Sequence, residues 1–191
     1  MFLFNEPKED EIREFLKRQA NALFSHRAVG ATRNGASVRG FSSQHCRTHL
    51  GVGEAAFRSA AEALRLWRMF DLDWVRACFP PPPREGAVVG VLVRHFGFWS
   101  LNGARIVYVI DEPARFGFAY GTLEEHAESG EEKFLVERDS TTGDVWYEIA
   151  SFSRPNQILA WLGYPLTRLL QKRFARDSMA AMRRAVASQA R

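Results

Sequence analysis

His126, Glu131 and Glu132 stand close together in a polar segment that follows an apolar run ending at Tyr120. A histidine beside carboxylates can serve as a general base, with Tyr120 or Thr122 holding a substrate. This makes His126 the one candidate for catalysis. The same residues equally suit a structural task, in which His126 caps a tight hairpin and a carboxylate bonds its backbone. Arg94 ends an apolar stretch and could reach into a cavity to hold a carboxylate or phosphate of a ligand. A protein carboxylate would satisfy it as well. His45 and His49 are four apart, a spacing that chelates a metal on a helix. On a strand they would lie roughly 13 Å apart. The segment reads as extended, so no metal site is expected. Gly51-Val52-Gly53 lacks the third glycine of a dinucleotide fingerprint. No phosphate loop or nucleophile signature is present, and no cofactor is expected.

The elements that must position these groups follow from periodicity. In Arg115–Thr122, Phe116, Phe118 and Tyr120 fall on one strand face and Gly117, Ala119 and Gly121 on the other. Something bulky must cover the bare face, and the terminal helix is the expected cover. Upstream, residues 7–23 read as a helix with acids in its first turn. Residues 28–40 read as a loop, and 41–52 as extended. Residues 53–70 read as a helix carrying Ala56, Phe57, Ala60, Ala61, Leu64 and Trp67 at helical spacing. Strands are predicted over 72–79, 87–96 and 98–110. Val88–Val93 and Ile106–Ile110 are apolar on both faces, so both faces must be covered. Asn102-Gly103 fits a tight turn or a bend within one strand. Strands over 132–139 and 145–153 follow. Beyond Arg154-Pro155 the chain is expected to be helical, kinked or restarted at Gly163 and Pro165, with Leu162, Leu166, Leu169, Leu170, Phe174, Ala181 and Ala185 buried.

Composition narrows the classes. At 191 residues, one domain is expected: a core over 41–191 with an N-terminal helix and loop appendage over 1–40. Aromatics reach 13%, enough to fill a large core or line an apolar cavity. Residues 124–139 hold seven acidic and two basic residues, whereas 154–191 hold eight basic and one acidic. This is either two solvated faces or a basic helix surface that makes peripheral contact with an anionic membrane or an acidic partner. No nucleic-acid motif is present, and nucleic acid is not expected as a partner. Cys46 and Cys78 form no Cys-x-x-Cys pair, which with the early charges at the N-terminus points to the cytoplasm. No run reaches the length of a membrane span.

Several strings resemble uncharacterised protein family 0548, a family of bacteria and plants. They are Trp67-Arg68-Met69-Phe70, His95 to Asn102, Arg105 to Val109, Gly117 to Leu123 with His126 and Gly130 to Phe134, and Phe152 to Pro155. The resemblance spans essentially the whole chain, and the Gly-Thr-Leu, His, Gly-Glu-Glu string is its hallmark. The family is similar in layout to the START and birch-allergen-like proteins. It therefore implies an α+β helix-grip fold, a curved antiparallel sheet wrapped around a long C-terminal helix, with an apolar cavity between them. The element order read from periodicity agrees with that layout. On this basis the expected function is non-catalytic binding of a small apolar or amphipathic, lipid-like ligand. Its expected lining is Arg94, Trp99, Tyr108, Phe118, Tyr120, Tyr147 and Leu166. The alternatives are a cyclase- or hydrolase-type enzyme using His126, or a structural module docking through its basic helix.

Overall fold

A computed structural model describes residues 1–35, 37–156 and 164–189, the side chains of 164–167 and 189 excepted. Leu162, Gly163, Pro165 and Leu166, expected in the kink and stripe of the last helix, therefore lie outside the described residues or side chains. In chain order the elements are β1 (Phe2–Leu3), α1 (Glu9–Gln19), β2 (Ser42–Val52), α2 (Gly53–Arg65), β3 (Val75–Cys78), β4 (Val88–Arg94), β5 (Trp99–Glu112), β6 (Arg115–Thr122), β7 (Glu128–Arg138), β8 (Asp144–Pro155) and α3 (Tyr164–Gln189). Short 3-10 turns occupy Ala31–Asn34 and Arg68–Phe70.

The strands form one antiparallel sheet in the order β2-β8-β7-β6-β5-β4-β3, with β1 also paired to β5. The sheet curls around α3 in the helix-grip manner. Asn102-Gly103 lies inside β5 opposite Gly90 and Val91, so it is a continuation of one strand. The chain reverses instead at 95–98, where the His95 N–H donates to the Phe98 carbonyl.

Alternation sorts the β6 side chains as expected, but the helix covers the other face. Phe116, Phe118 and Tyr120 join Phe134, Ile149, Ala175, Met182 and Val186 in the main core, beneath α2 and α3. Rings on the concave side fill space that small residues would leave empty. The bare face turns outward. A β-carbon at Gly121 would stand 2.9 Å from the Phe24 ring, and one at Gly117 would strike the backbone of β7. Ala119 packs with Tyr108, Ile110 and Leu135. The cover is thus the N-terminal segment and neighbouring side chains, not the terminal helix.

Helix α1 and the turn at Ala31–Asn34 lie against the outer face, and β1 pairs into the sheet. Ile12 and Phe15 of α1 close a second core with Cys78, Leu92 and Leu101. Glu131 anchors the following loop, accepting N–H bonds from Gly30 at 2.6 Å and Thr32 at 3.0 Å and a bond from the Thr32 hydroxyl. Helix α3 is tied to the sheet by polar bonds along its length. Tyr147 bonds the Ser178 hydroxyl at 2.9 Å, Trp74 donates to Asp177 at 3.1 Å, and Arg183 donates to Thr48 at 2.8 Å. Its buried face runs through Ala175, Ser178, Ala181, Met182 and Val186, whereas Leu169, expected inside, is 63% exposed.

Candidate functional site

The concave face has a solid half and a hollow half. Where Phe118, Phe134, Tyr147 and Ile149 meet α2 and the later turns of α3, those side chains are wholly buried. Toward the start of α3 the side chains on the same face shorten or turn polar, and a cavity of about 610 Å³ opens. That volume lies within the range of small-molecule sites. Phe70, Trp74, Val91, Val93, Leu170 and Phe174 make apolar walls, and Phe2, Phe4 and Phe98 border it from β1 and the start of β5.

The polar groups of the cavity come from period-two positions on four adjacent strands. Tyr120 is opposite Glu132, Glu132 opposite Ser151, and Ser151 opposite Gln44. All four line the cavity, because one strand face stays in register across β6, β7, β8 and β2. The Tyr120 hydroxyl donates to Glu132 Oε2 at 2.8 Å. Two same-face positions along β7, Gln171 of α3 donates to Glu128 Oε2 at 2.6 Å and to Ser153 Oγ at 2.8 Å. Arg168 in turn donates to Gln171 Oε1 at 2.6 Å. On the β5 side, His95 bonds the Ser100 hydroxyl at 2.9 Å, and Asn102 donates to the same oxygen at 3.0 Å.

Electrostatically the site is unusual. Burial pushes the Glu132 carboxyl up to about 7, the Tyr120 hydrogen bond opposing and the Glu128 charge reinforcing that shift. Burial pushes Glu128 up to about 6, against hydrogen bonds from Gln171 and Ser153 and the charge of Arg168. Both side chains are only partly exposed, and both face the cavity. A carboxyl that changes protonation near neutral pH can donate a proton, accept one, or ionise when a positive partner arrives.

His126 also borders the cavity, but its ring is occupied structurally. Nδ1 accepts the Glu128 N–H at 2.9 Å, and the His126 N–H donates to the Leu123 carbonyl at 2.9 Å. Burial pushes the imidazole down to about 3, well below a base matched to neutral pH. The turn-capping role suits this geometry. Glu131 and Glu132 split between the two faces of β7, the first anchoring the outer loop and the second entering the cavity.

Of the aromatic and basic residues expected to line the cavity, the structure brings only Tyr120 to it. Arg94 follows inward-facing Val93 and therefore points out, where it is exposed. Trp99 precedes inward-facing Ser100 and packs on the α1 core. Tyr108 is turned outward by a bulge between Ile106 and Tyr108. There its hydroxyl bonds Thr32 at 2.8 Å. Phe118 and Tyr147 face inward but lie in the solid half, with no exposure. Leu166 has no described side chain. His45 and His49 lie in extended β2 and pair with different carboxylates, Glu148 at 3.2 Å and Asp144 at 3.1 Å.

Glu128, Gln171, Ser151 and Gln44 were not anticipated. Their signal was available in β7 and β8, where Glu128, Glu132, Ser151 and Ser153 interrupt faces that are otherwise apolar at alternating positions.

Comparison with known proteins agrees with the architecture. The model of a domain of unknown function, DUF1990, matches residues 25–181. A UPF0548 protein of Dictyostelium discoideum is 36% identical over 209 residues, spanning 98% of this chain and 97% of its own. A UPF0548 protein of Deinococcus radiodurans is 38% identical over 188 residues, spanning 92% and 94%. A solution NMR structure of a protein from Arthrobacter aurescens superposes with a TM-score of 0.52 at 11% identity, covering 80% of this chain and 93% of that one, a likeness of fold alone. Matched over most of its length by the domain model and along nearly all of it by these relatives, the chain belongs to the UPF0548 (DUF1990) family.

Proposed function

We propose that this protein binds a small apolar or amphipathic, lipid-like molecule in the hollow between the curled sheet and the first turns of α3. The observation that carries this function is the cavity of about 610 Å³, walled by aromatic and aliphatic side chains, with a row of polar groups running from Tyr120 through Glu132 and Ser151 to Gln44. Apolar burial supplies affinity in such a site and a few convergent polar groups set orientation. Among the described residues no helix is long and apolar enough to cross a membrane. The unpaired Cys46 and Cys78 support a reducing compartment such as the cytoplasm. Native mass spectrometry of protein taken gently from fresh lysate tests the function. A stoichiometric organic species released on denaturation is expected. Bare protein mass, together with failure to take up any apolar probe, would contradict it.

A second function, acid–base catalysis, is favoured by one observation: the Glu132 carboxyl sits near 7 with Tyr120 bonded to it. In that case Glu132 rather than His126 would move the proton.

A further inference from the structure

The charges that line the cavity are of one sign. Glu128 and Glu132 enter it from β7, whereas no lysine or arginine is among the described lining residues. His95 and His126 border it, and burial pushes both imidazoles down, disfavouring their charged forms. The N-terminal ammonium, whose charge is felt at His126, donates to the Leu101 carbonyl at 2.9 Å, and the other nearby cations are spent elsewhere. Lys133 points to the outer face and pairs with Glu148 at 2.8 Å, and Arg154 lies over the Phe41 ring. Arg168 bonds Gln171, whose amide holds Glu128, and its charge is felt at Glu128 and not at Glu132. Glu132 has no such relay. Tyr120 satisfies its Oε2, Tyr147 and Cys46 flank it as neutral groups, and among the described residues no hydrogen-bond partner stands at Oε1.

We propose that the ligand is a cationic amphiphile: a protonated amine on an apolar body, its ammonium paired with Glu132 and its body against Phe70, Trp74 and Phe174. This assignment rests on the ligand-binding function proposed above and names its chemical class. An ammonium provides the charge that a buried carboxylate needs, since ionising Glu132 in an apolar hollow without a partner is costly. Ring faces add cation–π attraction. An anionic head at Glu132 would face two carboxyl groups, with no lysine or arginine among the described lining residues to offset them. A neutral head would leave the carboxyl protonated and gain only a hydrogen bond.

The ammonium keeps its own protons, and Glu132, protonated below about 7 in the free protein, releases one proton to solvent on forming the pair. Affinity is therefore full above pH 8 and falls by up to about tenfold between pH 8 and pH 6.

Calorimetric titration with octylamine, octanol and octanoate, at pH 8 and pH 6, tests this in the wild type and in Glu132→Gln. Octylamine is expected to bind at least tenfold tighter than octanol at pH 8, with a weaker preference at pH 6 and little preference in the variant. Octanol or octanoate binding as tightly as octylamine would overturn the amine assignment while leaving the ligand-binding function standing. An amine preference that persists in folded Glu132→Gln would overturn the pairing of the ammonium with Glu132. No binding of any of the three to the wild type would overturn both. The wild-type series and its pH dependence decide the matter even if the variant does not fold.

Discussion

Tyr120 and Glu132 face each other directly across β6 and β7, and the Tyr120 hydroxyl donates to Glu132 Oε2 at 2.8 Å. The bond is the single direct hydrogen bond to this carboxyl among the described residues, and it holds the carboxyl below where burial alone would put it. Removing the hydroxyl in Tyr120→Phe should raise the Glu132 pKa further above 7. Carbon-13 NMR titration of the glutamate carboxyls would register the change. A downward move, or none, would mean that the bond does not form in solution.

Stability should depend on pH in a direction set by the same carboxyl. Below about pH 4.5 Glu132 is protonated in both folded and unfolded chains, and its contribution is fully retained. As pH rises, the unfolded chain releases the proton first, so stability declines and the loss is complete above about pH 8. The folded value near 7 corresponds to a loss of about 3 kcal/mol. Glu132→Gln should flatten that part of the profile and be more stable than the wild type at pH 8. Thermal melts of both proteins from pH 5 to pH 8.5 would reveal parallel curves if Glu132 is not buried as described.

Glu131 predicts a different phenotype from its neighbour. Its carboxylate holds the Gly30 and Thr32 amides on the outer face of β7. Glu131→Ala should cost about 1–3 kcal/mol, because it strands buried donors. Hydrogen exchange should lose protection at Gly30 and Thr32, while octylamine binding at 25 °C stays within about twofold. A collapse of binding with the fold intact would place Glu131 in the site.

Gly121 tests the outer layer. A β-carbon there would lie 2.9 Å from two atoms of the Phe24 ring, so Gly121→Ala must displace the ring. A loss of about 1–3 kcal/mol is expected in denaturant unfolding. An unchanged midpoint would show that the segment containing Phe24 yields freely.

Much of this architecture is readable from residue order. The alternation of β6 and the two-faced apolar runs of β4 and β5 specify a sheet covered on both sides, and the outer cover exists in α1 and its loop. What alternation cannot reveal is which cover takes which face. Bare faces accept a bulky neighbour from any direction, and here Phe24 reached Gly121 from the N-terminal segment. Tyr108 shows a second reason. One extra residue at the bulge beyond Ile106 reverses every later assignment on that strand, and no turn signal marks it. Phe118 and Tyr147 show a third. They face inward as expected, but the later turns of α3 press upon them, and the hollow lies nearer the helix start. Where a cavity begins along a helix depends on how side chains from distant elements fill volume, which strand periodicity does not encode.

Ligand binding as proposed requires that the hollow beside Phe70, Trp74 and Phe174 accept an organic molecule. Its most direct test is a titration of an environment-sensitive apolar dye against the wild type and Val93→Trp, in which an indole would fill the space beside Val93. One saturable site per chain is expected in the wild type, with affinity reduced at least tenfold in the folded variant. Absence of saturable binding in the wild type, or equal affinity in both proteins, would contradict the account.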